Sequence, residues 1–119
     1  MQRESNQEIN CSLRDWENKE VLLPQSVLNI HLIDSNHLEA YSYLDNLKQQ
    51  LNSPESVVAS KNRKCTKIVN IRLSGKNHKY LQVVIRYSRF FSSVLGKKNF
   101  IVSFYGAQKP KKGKILWKK

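Results

Sequence analysis

The stretch KCTKIVNIRLSGKNHKYLQVVIRY, Lys64 to Tyr87, decides how this chain reads. In its first part the residues alternate: Lys67, Val69, Ile71 and Leu73 share one face, and Ile68, Asn70 and Arg72 the other. Ser74-Gly75-Lys76-Asn77 is turn chemistry. Alternation then resumes, with Leu81, Val83, Ile85 and Tyr87 opposing Tyr80, Gln82, Val84 and Arg86. Two period-two runs joined by a short polar turn predict an antiparallel hairpin.

Toward the C-terminus the same period returns. In NFIVSFY, Phe100, Val102 and Phe104 oppose Ile101, Ser103 and Tyr105, and KILWK gives a short closing strand. Toward the N-terminus the period becomes helical, with Leu38, Tyr41, Leu44, Leu47 and Leu51 recurring at spacings of three and four. Asn36 stands as N-cap, Glu39 completes a capping box, and Asn52-Ser53-Pro54 stops the helix. Further back, QSVLNIHLI (25–33) predicts a helical turn or two burying Val27, Leu28, Ile30 and Ile33. It follows an apolar-periodic segment from Trp16 to Val21 that Pro24 interrupts. Residues 1–12 read as a polar tail and 13–119 as one domain, a size suited to a single core. The expected fold is α+β, with N-terminal helices packed on a four-stranded antiparallel sheet.

Charge is the strongest bulk signal. Lys61 to Lys119 carries 17 Lys and Arg and no Asp or Glu, whereas residues 1–60 hold all nine acids and four bases. The two halves are formally −5 and +17. A field so segregated draws polyanions, and nucleic acid is the expected partner, ahead of an anionic membrane or an acidic protein. If the apolar members of the strands face the helix, Arg72, Arg86, Ser103 and Tyr105 share the opposite face. Val84 and Ile101 are apolar members of that face, leaving part of it for a loop to cover. Lys109, Lys111, Lys112 and Lys114 form a basic loop suited to phosphate contacts.

Other classes find little support. No apolar run approaches the roughly 20 residues that span a bilayer, and MQRESNQEIN lacks a signal segment, so a cytoplasmic location is expected. Cys11 and Cys65 lie far apart without CxxC spacing, which favours free thiols. His31, His37 and His78 show no metal-ligand spacing, and the basic half has no carboxylates to hold a divalent cation. Neither metal nor cofactor is expected.

An ordered series of short pieces runs along the chain: His37-Leu38-Glu39, Tyr43-Leu44-Asp45, Leu51 to Val57, Arg72, Lys79 to Val84, Phe100 to Tyr105, and Lys112 to Lys118. From residue 16 to 119 this series resembles small phage-associated nuclease-like domains of the barnase–EndoU–colicin–RelE-like superfamily. The resemblance implies the same barnase/RelE-like α+β fold. It also implies metal-independent endoribonuclease activity, as a toxin or mobile-element protein restrained by an acidic antitoxin or immunity partner. In that chemistry His37 acts as base or acid. Arg72 and Arg86 stabilise phosphoryl charge, and Ser103 and Tyr105 hold the phosphate. Two other functions fit the same residues: a non-catalytic RNA-binding module, and an interaction domain for an acidic protein.

Overall fold

The computed structural model describes residues 8–29, 39–74, 77–88 and 98–119. Along the chain run β1 (Ile9–Arg14), β2 (Glu20–Pro24), α1 (Gln25–Asn29), α2 (Glu39–Gln50), β3 (Ser56–Ala59), β4 (Thr66–Arg72), β5 (Tyr80–Arg86), β6 (Phe100–Ala107) and β7 (Ile115–Lys118). The strands form one seven-stranded sheet in the order β1-β2-β6-β5-β4-β3-β7. The hairpin read from Lys64 to Tyr87 is its centre, with β4 and β5 paired antiparallel from Thr66 opposite Arg86 to Arg72 opposite Tyr80.

This corrects the expected four-stranded antiparallel sheet with N-terminal helices. The sheet has three further strands and is mixed, since β2 meets β6 in parallel at Leu22 and Phe100. The tail expected over residues 1–12 is strand from Ile9 onward. The segment around Trp16 to Val21 belongs to a hairpin whose inward residues Val21 and Leu23 are fully buried. Its turn is closed by Asp15, whose carboxylate accepts the amides of Glu17 and Lys19 at 2.8 Å each, while Asn18 takes a left-handed φ of 64°. At four residues, β3 is too short to show a period. Helix α1 supplies five residues of the predicted 25–33 turn. Ile30, His31, Ile33, Asn36, His37, Leu38 and the side chains of Glu39 and Tyr41 lie outside the described residues.

Helix α2 lies on β4, β5 and β6 and buries Tyr43 and Leu47, with Leu51 just beyond it. They meet Val69, Ile71, Leu81, Val83, Ile85 and Phe104 in one core. Each such side chain contributes about 1.5–3 kcal/mol by leaving water. The inward alternation predicted for β4 and β5 matches this core, except that Lys67 is half-buried.

In β6 the alternation breaks. Ser103 pairs with Val84 but Ile101 pairs with Ile85, so Val102 is an extra residue, a β-bulge. The bulge reverses the facing of everything before it. Ile101 is fully buried in the core, whereas Val102 is 38% exposed and Phe100 pairs with Arg86 on the far side, the opposite of the expected inward Phe100 and Val102.

Residues 108–114 cross the far face of the sheet and are held there by two buried amides. Asn70 donates from Nδ2 to Ser56 Oγ (3.1 Å) and to the Lys111 carbonyl (3.3 Å), and its Oδ1 accepts the Lys111 amide (2.8 Å). Gln82 Nε2 donates to the Lys109 carbonyl at 2.9 Å. Both side chains are buried polar groups with partners, as burial demands. Among the described residues no helix is long and apolar enough to cross a membrane.

Candidate nucleic-acid interface

Arg72 and Arg86 do share the face turned away from α2, but they stand at its opposite ends. Arg86 pairs with Thr66, six residues along β4 from Arg72, which places the two guanidinium-bearing residues about 20 Å apart at ~3.3 Å per residue. One phosphate cannot meet both. Arg72 is engaged locally: its Nη1 lies 3.4 Å from the Tyr80 hydroxyl, which donates to Glu55 at 3.1 Å, and its guanidinium sits 5.6 Å from the Tyr80 ring centre.

Arg86 opens onto a cleft of about 780 Å³ lined by Arg63, Lys64, Lys98, Phe100 and Val102, with Cys65, Thr66, Tyr87 and Ser88 completing it. One wall is the turn before β4. Cys65 takes a left-handed φ of 57°, its carbonyl accepts the Tyr87 amide (2.7 Å), and Thr66 Oγ1 donates to the Lys64 carbonyl (3.1 Å). These contacts fix the backbone that carries Arg63 and Lys64. The opposite wall is fixed by Asn99. Its Oδ1 accepts the Ser88 amide (3.0 Å), its Nδ2 donates to the Glu20 carbonyl (2.9 Å), and its own carbonyl accepts the Leu22 amide (2.9 Å). Lys98 and Phe100, on either side of Asn99, are thereby held at the rim.

The electrostatics of the cleft are one-sided. Among the described residues no carboxylate pairs with Arg63, Lys64 or Arg86; Lys98 stands 4.0 Å from Glu20 at the outer edge. Unneutralised cations gathered around a concavity concentrate the field there and suit phosphate oxygens.

From this cleft the far face continues rung by rung. Ser103 pairs with Val84, two residues before Arg86 in β5, and Tyr105 pairs with Gln82, two residues further. Gln82 in turn holds the backbone of Lys109. Arg86, Ser103, Tyr105 and the basic loop therefore form a continuous line. Tyr105 is 40% exposed, and Lys109, Lys111, Lys112 and Lys114 are all exposed. Of the residues named for catalysis, Ser103 stands two rungs from Arg86, whereas Tyr105 lies four rungs from Arg86 and two from the rung of Arg72. His37 lies outside the described residues.

Sequence reasoning did not single out Arg63, Lys64, Lys98 or Phe100. The run Lys61-Asn62-Arg63-Lys64 was the available signal for two of them, while Lys98 and Phe100 reach the cleft only through the bulge and the Asn99 tie. His78 is half-buried: Nδ1 meets the Tyr43 hydroxyl, and a Cβ on Gly106 would collide with its ring. It packs between α2 and β6. Both cysteines are free, and burial pushes the Cys11 thiol above its usual range, against the pull of Lys48. Among the described residues no group of three or more His, Cys, Asp or Glu converges as a metal site. Comparison with protein-family models, with curated proteins and with solved structures finds no match to this chain.

Proposed function

We propose that this protein binds single-stranded RNA along the sheet face that runs from the Arg86 cleft past Ser103 and Tyr105 to the basic loop. The observation that carries this reading is the unneutralised cluster of Arg63, Lys64 and Arg86 around a cleft continuous with an exposed tyrosine and four exposed lysines. A groove of cations tracking a backbone, with aromatic rings on which bases stack, is the general solution for single strands. Phe100 and Tyr105 supply the rings here. A cytoplasmic location belongs to the same proposal, since RNA and unpaired thiols coexist there.

Binding, rather than cleavage, is the function this geometry favours. The cleaving set required His37 beside both arginines, and Arg72 lies a sheet's length from Arg86. The test is fluorescence anisotropy of a labelled single-stranded RNA 12-mer, in EDTA, with the product run on a gel. Saturable binding with intact RNA is expected, and Arg86→Ala combined with Lys64→Ala weakens it about tenfold or more. Unchanged affinity in the double variant rejects the site. Co-purification with an acidic protein that abolishes heparin retention would favour a protein partner instead.

A further inference from the structure

The cleft and the track beyond it differ in charge density. Along the track, the rungs beyond Arg86 carry Ser103 and Tyr105, and cations return only in the loop, at Lys109, Lys111, Lys112 and Lys114. At the cleft, Arg63, Lys64, Arg86 and Lys98 surround one concavity, with Phe100 on the same lining. A phosphomonoester carries nearly two negative charges at neutral pH and three strong acceptor oxygens. It matches convergent cations better than a diester does. Behind this lining, the Asn99 hydrogen bonds tie β2, residue 88 and the start of β6 together.

Resting on the proposed function, we infer that the cleft is an end-binding pocket: it takes a terminal phosphomonoester of the RNA strand, with the terminal base against Phe100. Arg86 and Lys64 neutralise the phosphate, Arg63 and Lys98 flank it, and the strand then runs outward over Ser103 and Tyr105 toward Lys109.

The shared chemistry is a phosphomonoester attached to a nucleoside, so free nucleotides and strand ends must be separated. Anisotropy titrations would compare 12-mers bearing a 5′-phosphate, a 3′-phosphate, or hydroxyls at both ends, in phosphate-free buffer. Adenosine monophosphate and adenosine would be titrated alone by calorimetry. One of the phosphorylated strands is expected to bind about tenfold tighter than the hydroxyl strand, and in Arg86→Ala that ratio falls toward one. Arg86 is exposed at a strand end, so its removal tests contact and not folding. Equal affinity for all three strands overturns the end pocket while leaving strand binding in place. If no strand binds but the nucleotide does and adenosine does not, the pocket serves free nucleotides, and both the end assignment and the proposed function fall. Absence of any binding overturns both as well.

Discussion

At the residue scale the tightest arrangement is the one around Asp15. Its carboxylate is almost wholly buried yet accepts three donors: the amides of Glu17 and Lys19, and the Tyr87 hydroxyl at 2.7 Å. Tyr87 also carries Lys67 Nζ 4.5 Å from its ring centre and meets Trp16 edge-on. These contacts pin the N-terminal hairpin to the end of β5. Burial, followed by the hydrogen bond to Asp15, raises the Tyr87 phenol well above its ordinary value of 10.0. The phenol stays protonated in the folded protein, whereas the unfolded chain ionises near pH 10. Its contribution is therefore complete below pH 10 and lost as pH rises beyond it. Urea midpoints measured from pH 8 to 11.5 should fall from about pH 10 upward. In Tyr87→Phe that fall should be shallower, after a loss of about 1–3 kcal/mol at neutral pH for a buried carboxylate that loses a donor.

At the scale of elements, the legible parts were those with an uninterrupted period. The strands β4 and β5 repeat with period two over seven residues each, and α2 shows Tyr43 and Leu47 at helical spacing. β6 was foreseen as a strand, yet its facing was not, because the Val102 bulge changes parity without leaving a mark in composition. The first hairpin was hidden for another reason. Its turn is built on Asp15 and a left-handed Asn18 rather than on glycine, and it follows a polar stretch that resembles a tail. As for the site, alternation was enough to put Arg86, Ser103 and Tyr105 on one face. It could not order them along that face, which is why Arg72 was grouped with an arginine a strand's length away. The basic loop depends on Asn70 in a way no local pattern shows, since the bonded residues are 41 apart. Replacing Asn70 by Ala leaves both polar groups of Lys111 without their partner beneath the loop. A stability loss of about 1–3 kcal/mol by urea unfolding is expected. RNA affinity should weaken severalfold with an unaltered salt slope, because no cation is removed.

For the molecule as a whole, the division of charge becomes a quantitative expectation. Neutralising Z phosphates of a single strand gives a slope of about −0.7Z in log affinity against log salt. With the cleft cations and the basic loop engaged, Z should be about 5–6 and the slope near −4. Each of Arg86→Ala and Lys111→Ala should make that slope shallower by about 0.7. A slope near zero would mean that the positive half serves solubility alone. Among the described acids of the first 60 residues, Asp15 and Glu20 act as tethers at the hairpin, and Glu20 also stands 4.0 Å from Lys98.

The parallel meeting of β2 with β6 has a consequence for how the chain is made. Leu22 must wait for Phe100, so during translation the first hairpin has no strand beyond itself to pair with until β6 has left the ribosome. The β3–β5 meander can zip locally well before that, but the slot it offers stays vacant. Docking of the leading hairpin should thus be the slow, late event of biogenesis, as for other non-local β pairings. A nascent chain stalled ahead of β6 would expose Val21 and Leu23 to chaperones or to proteases.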